Sequence, residues 1–350
     1  MNRSQTVLLM LLLSLFTLYA CKSVETTSAM LHNQHGQYDK AIEMANLALD
    51  KNPNDAEAHF QLGISYSFKG MMRDAYEKFM MAATLDPNKL TDTENNIKHN
   101  WAKHFNNGVN EYQSENYKGA AKEFDLATQA DPRQSKGWLN LAKVYSLLSH
   151  QDSTYLEHAF SISDTLLLKV TKEDDEYTDA LALAGKLMIR RGDKERAIGI
   201  FEKLMLDDPA NFETVEGIGG DLINDKDWEY AALFLEMATD GQRKTDSENF
   251  ATYYDLGVSH YNMQDYMKAI DAYQNALRLR PDEQLASYSL LLTYYMAELW
   301  DEAIATGQDY TTRIAPDDPK GWQILSRSYN KNGLKIKAEE AYQKFRELSQ

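Results

Sequence analysis

Five prolines, Pro53, Pro87, Pro132, Pro209 and Pro281, each close a copy of one spaced pattern. An alanine or leucine stands 5 residues before each (Ala48, Ala82, Ala127, Leu204, Ala276) and an alanine 12 before (Ala41, Ala75, Ala120, Ala197, Ala269). A glycine stands 24 before four of them (Gly63, Gly108, Gly185, Gly257), and the first two prolines are 34 apart. A period of this length restricts the chain to an array of supersecondary units, none of which buries its apolar face without a neighbour. Proline ends a helix because it donates no N–H and pushes the residue before it away from helical backbone. Small residues at fixed offsets let helices approach closely, and larger ones fill the gaps. With 17 glycines and 7 prolines in 350 residues, the chain has too few turn-formers for a sandwich or barrel.

The pattern resembles the tetratricopeptide (TPR) repeat, a helix-turn-helix of 34 residues reading W-x2-L-G-x2-Y, A-x3-F and P. Ala56 to Pro87 matches as HFQLGISY followed by Ala75 and Phe79, and Phe250 to Pro281 as YYDLGVSHY, DYMKAIDAYQNAL and RP. The resemblance implies an all-α, right-handed α-solenoid of about nine units, at 22–55, 56–89, 101–134, 135–177, 178–211, 212–249, 250–283, 284–318 and 319–350. Residues 22–89 hold units 1 and 2, and residues 101–350 hold units 3 to 9 with insertions in units 4 and 6. Between them, 90–100 stands as an inserted link.

Departures from the pattern carry expectations of their own. Glu25 and Ser28 replace large apolar residues, so 21–30 is expected to serve partly as a tether overlapping a degenerate first unit. Leu291 stands where glycine or alanine is usual and Gly307 where an aromatic is usual, a pair of changes expected to compensate in volume. Arg243 replaces the sixth unit's proline, and Gly217-Ile218-Gly219-Gly220 makes its first helix a candidate flexible point, unless close packing requires the glycines.

Lys+Arg 37 against Asp+Glu 53 gives a formal charge of −16, which opposes non-specific nucleic-acid binding. The single cysteine, Cys21, rules out an internal disulfide and any site of several thiolates. Met1-Asn2-Arg3 followed by the uncharged run Val7 to Leu18 is too short to span a bilayer. Leu18-Tyr19-Ala20-Cys21 resembles the bacterial lipoprotein box, which implies a signal peptide at 1–20 and lipid on Cys21. Tyr19 departs from the small residue usual there, leaving ordinary secretory cleavage or a buried N-terminal helix as the other readings. Lys22, in place of an acidic residue after the cysteine, favours the outer membrane over the inner.

Catalytic and cofactor motifs are not found. The GIGGD stretch lacks the third glycine of GxGxxG and follows no strand, and no GxxxxGK[ST], HExxH or GxSxG occurs. His59 and His104 share a repeat position suited to packing, and His32 and His35 lack a third metal ligand nearby. No enzyme activity, cofactor, metal or small-molecule substrate is therefore expected.

In a TPR unit the concave face is lined by positions 2, 5, 9 and 12 of the first helix. Those positions hold Phe60, Ile64 and Ser67; Phe105, Val109 and Tyr112; Tyr254, Val258 and Tyr261; and Tyr288, Leu292 and Tyr295. The lysine and asparagine clamp with which the family grips a C-terminal carboxylate is not reproduced. The tyrosines are expected to form a ladder for a partner's apolar side chains, whose truncation weakens capture without lowering the melting temperature; packing against the adjoining helix is the other reading. The function expected is a membrane-anchored TPR scaffold or adaptor of the bacterial cell envelope, binding a protein or peptide. A non-catalytic regulatory subunit of an envelope enzyme or of a secretion or assembly complex is the alternative.

Overall fold

The computed structural model describes residues 23–350, so the expected signal peptide at 1–20 and Cys21 lie outside the described residues. Within them the chain is all-helical and without strands. It divides into two compact units at Leu187 and Met188.

The N-terminal unit contains α1 (Val24–Gln34), α2 (Tyr38–Lys51), α3 (Ala56–Phe68), α4 (Met72–Leu85), α5 (Leu90–Gln113), α6 (Tyr117–Ala130), α7 (Ser135–Leu148), α8 (Thr154–Lys169) and the start of α9 (Tyr177–Arg191). The C-terminal unit continues with α10 (Lys194–Asp207), α11 (Phe212–Asn224), α12 (Trp228–Lys244), α13 (Phe250–Asn262), α14 (Tyr266–Leu279), α15 (Gln284–Met296), α16 (Trp300–Asp309), α17 (Pro319–Lys331) and α18 (Lys335–Leu348). In both, sequential helices pack in pairs.

Three pairs are locked by a glycine facing a large ring sixteen positions on. A β-carbon added at Gly63 would lie 2.6 Å from the Phe79 ring, at Gly108 2.7 Å from Phe124, and at Gly257 2.5 Å from Tyr273. Those rings are buried and fill the space a side chain would need. In the eighth pair the sizes are exchanged, as the sequence suggested: a β-carbon on Gly307 would come within 3.1 Å of Leu291 Cδ1, so leucine occupies the volume the aromatic takes elsewhere.

The turns share a register that the sequence pattern did not reveal. Residues 36, 70, 115, 192, 226, 264, 298 and 333 all have φ between +59° and +83°. Each falls at the fifteenth position of its repeat. In the first turn the amide of Gln37 returns to the His32 carbonyl (2.8 Å), an arrangement that closes a helix C-terminus with a left-handed residue. Four of the eight are not glycine (Glu115, Lys226, Gln264, Glu298), each bearing a backbone cost of about 1 kcal/mol.

Two sequence expectations are corrected. Residues 90–100 are not a link but the beginning of α5, a helix of 24 residues, and Ile97 within them is fully buried. Residues 24–30 belong to α1: the Ser23 side chain caps Thr26 N (3.0 Å) and the Thr26 hydroxyl donates to Asp55 (2.6 Å), so polar contacts replace the apolar ones missing there. The glycines of α11 do not interrupt it. A β-carbon on Gly219 would meet Leu235 at 2.6 Å, whereas Gly217 and Gly220 face open space. Arg243 lies inside α12, which runs to 17 residues because no proline stops it.

The three glycines yield opposite expectations. Gly217→Ala and Gly220→Ala should each stabilise the chain by about 1 kcal/mol through helix propensity. Gly219→Ala should lower the urea midpoint because Leu235 must move. Equal effects at all three positions would refute this assignment.

Candidate functional site

The aromatic positions divide according to what covers them. Phe60 is buried, packing edge-on against Phe79 at 5.5 Å with the Lys89 ammonium 4.9 Å from its ring. The first turns of α5 add to this cover: Ile97 joins the Phe60–Phe79 cluster, against which Ile64 is packed, and Asn100 donates to the Ser67 hydroxyl at 2.7 Å. Phe105 is likewise buried, stacked on Trp101 at 4.8 Å, with Val109 half-buried beside it. Phe60 and Phe105 are therefore packing residues and leave the candidate groove. Of the N-terminal aromatics among those positions only Tyr112 is exposed, its ring 5.6 Å from Tyr117.

The C-terminal unit is different. Tyr254, Val258 and Tyr261 on α13 and Tyr288, Leu292 and Tyr295 on α15 are all half-buried and rest on one cluster formed by α14, α15, α16 and α17. Every tyrosine leans on an aromatic from its own pair: Tyr254 on Tyr273 (5.7 Å), Tyr261 on Tyr266 (5.8 Å), Tyr288 on Tyr310 (5.9 Å) and Tyr295 on Trp300 (5.4 Å). Burial raises the phenol pKa of Tyr261 and Tyr288, and each ring leaves part of its surface open. Each of these rings is thus packed on one side and open on the other. These contacts predict that truncating the tyrosines lowers the melting temperature, against the expectation of an unchanged one.

Charged residues frame this surface. Glu216 of α11 accepts from Thr252 Oγ1 (2.6 Å) and Asn249 Nδ2 (3.3 Å). Near it, the Asp255 carboxyl on α13 is half-buried, and burial, then repulsion from Glu216, raises its pKa. On the other side Tyr288 is within electrostatic range of Asp318 and Arg327. Tyr288 also lines a cleft of about 310 Å³ with Leu285, Tyr310, Asp318 and Lys320. Asp318 is satisfied there, accepting from Tyr310 Oη at 2.5 Å and from the Lys320 amide at 3.0 Å. Sequence reasoning missed Glu216, Asp255, Lys320 and Arg327, although three of them occupy the same repeat positions as the groove residues.

Asp255 provides a pH test. Its folded pKa lies above the ordinary carboxylate value, so its contribution is most favourable below that value and is lost as pH rises through the raised one. Asp255→Asn should therefore melt above wild type at pH 7.5, with the gap closing towards pH 4. A variant melting at or below wild type at pH 7.5 would contradict this account of the carboxyl.

His59 and His104 are packing residues. His59 is buried with Nε2 donating to the Pro53 carbonyl (3.0 Å), and His104 Nδ1 lies 2.8 Å from Glu123. His32 pairs with Gln37. No group of three or more His, Cys, Asp or Glu among the described residues is arranged to hold a metal.

Two segments match family models described as tetratricopeptide repeat, residues 26–65 and residues 254–319. The second contains all six α13 and α15 groove residues. Among solved structures, the C-terminal part of a TPR repeat-containing protein from Cytophaga hutchinsonii is 17% identical over 70% of this chain and 95% of its own, with a TM-score of 0.48. A tetratricopeptide repeat protein from Parabacteroides merdae is 13% identical over 71% and 93%, with a TM-score of 0.40. YrrB, described as a TPR protein with an unusual peptide-binding site, is 17% identical over 65% and 93%, with a TM-score of 0.35.

Proposed function

We propose that this chain is a lipid-anchored TPR scaffold of the bacterial cell envelope, which captures a protein or peptide partner on the tyrosine face of α13 and α15 and has no reaction of its own. The observation that carries the binding half is the row of half-exposed rings and aliphatic side chains resting on a common core. Such a surface is stiff before binding, so little side-chain freedom is lost when apolar groups settle on it. Tyrosine suits this work, because its ring buries apolar area while its hydroxyl stays wet. Panning twelve-residue peptides on phage against the full chain tests it: enriched sequences should be rich in apolar residues and should compete with one another for one site. Enrichment of sequences that bind equally well after the tyrosines are removed would defeat the proposal.

The anchoring half rests on the apolar run Val7 to Leu18 and on Cys21. Two or more acyl chains hold a protein stably on a bilayer, where one holds it only marginally. Cys21→Ser should abolish incorporation of a radioactive fatty acid in bacterial cells and release the chain from the outer membrane. Equal label in mutant and wild type would end this half of the proposal without touching the other.

A further inference from the structure

The first helices of the C-terminal pairs change charge in order. α11 carries Glu213, Glu216 and Asp221 and no basic residue; α13 carries Asp255 and no lysine or arginine; α15 carries no charged residue at all; α17 carries Lys320, Arg327 and Lys331 and no acid. In a chain of net charge −16, a helix with three cations and no anion stands apart. The order is also maintained face by face. One repeat position reads Glu216, Tyr254, Tyr288, Gln323 across the four helices, another reads Gly220, Val258, Leu292, Arg327, and a third reads Glu213, Ala251, Leu285, Lys320.

Physical proximity links these rows. Asp255 feels Glu216, Tyr261 feels Tyr288, and Tyr288 feels Arg327. The groups at the two ends are available. Lys320 and Arg327 are exposed and form no ion pair among the described residues, and the Asp255 carboxylate receives no hydrogen bond there although it is half-buried beside a second carboxylate. A carboxylate held in this way is improved by an incoming cation, and an uncommitted arginine by an incoming carboxylate. Gly220 leaves open space beside the acidic end.

We propose that the groove accepts a polypeptide segment of separated charge, with a basic residue over Glu216 and Asp255, apolar or aromatic residues over the tyrosine rows, and an acidic residue at Arg327 and Lys320. The inference rests on the groove reading above and adds the chemistry and direction of its occupant. Three steps between neighbouring first helices span roughly 25–30 Å at ordinary helix spacing, the reach of about eight or nine extended residues. A segment with its charges reversed would set like against like at both ends, so the layout fixes orientation and excludes partners of uniform charge.

The test uses the full chain and the peptides enriched by phage panning, with affinities measured by fluorescence anisotropy. Enriched sequences should carry an acid and a base on opposite sides of an apolar centre. Arg327→Glu should weaken them about tenfold, and changing the peptide's acidic residue to lysine should restore binding to that variant. Glu213→Lys, at an exposed position, should do the same at the other end and be restored by an acid there. Loss without rescue would mean that Arg327 supports the fold only, and the layout would be wrong. If Tyr261→Ala with Tyr295→Ala abolishes binding while Arg327→Glu leaves it unchanged, the groove stands and the charge layout falls. If no peptide is enriched, or neither change affects binding, both fall together.

Discussion

Leu291→Gly and Gly307→Phe, made singly, should each cost about 3 kcal/mol or more, while the double variant recovers much of the loss. The first removes a fully buried side chain and adds the backbone freedom of glycine. The second drives a ring into Leu291 and Leu325, whose carbons stand 3.1 Å and 3.0 Å from where even its β-carbon would sit. Together they recreate the Gly63–Phe79 arrangement, so the phenyl ring enters the space that the leucine vacates. Urea unfolding should show a coupling of ~2 kcal/mol in favour of the double variant, within the range for residues in contact. Additive losses would show that the eighth pair is not an exchanged copy of the others.

Tyr261→Ala with Tyr295→Ala should weaken a groove-binding peptide at least thirtyfold, since aromatic anchors in such surfaces typically carry ~2 kcal/mol or more each. The pair will also destabilise the fold, because Tyr261 leans on Tyr266 and Tyr295 on Trp300. A control separates the two effects. Phe201 is buried in α10 and meets Phe234 edge-on at 5.2 Å, away from the tyrosine rows. Phe201→Leu should lower the melting temperature with no loss of binding at 20 °C, whereas the tyrosine pair loses both. Equal binding by the tyrosine variant and wild type would make those rings packing residues alone.

How much of this was legible in the sequence depends on whether a feature repeats with residue identity. The glycine–aromatic contact repeats as a size difference at two fixed positions, so it survived even where Leu291 and Gly307 exchange roles. The left-handed turn residue repeats as a backbone angle, but half of its occurrences are Glu, Lys or Gln, so no letter announces it. Residues 90–100 fall outside the period and looked like a link; they are helix, and Ile97 and Asn100 reach back to cover Phe60 and Ser67. That added helix helps bury Phe60, whereas the tyrosines at equivalent repeat positions in the C-terminal unit are half-buried. The charge order from α11 to α17 was present in the sequence throughout, yet it becomes visible only when the first helices are set side by side.

We propose the C-terminal tyrosine face as the one a partner occupies. Placing a photo-crosslinking amino acid at Leu292, between Tyr288 and Tyr295, and separately at Met267, which is 65% exposed on the second helix of the α13–α14 pair, tests it directly. With an enriched peptide bound, Leu292 should give an efficient crosslink that excess unlabelled peptide abolishes, and Met267 should give none. A competed crosslink at Met267, with none at Leu292, would place the partner elsewhere and contradict the account.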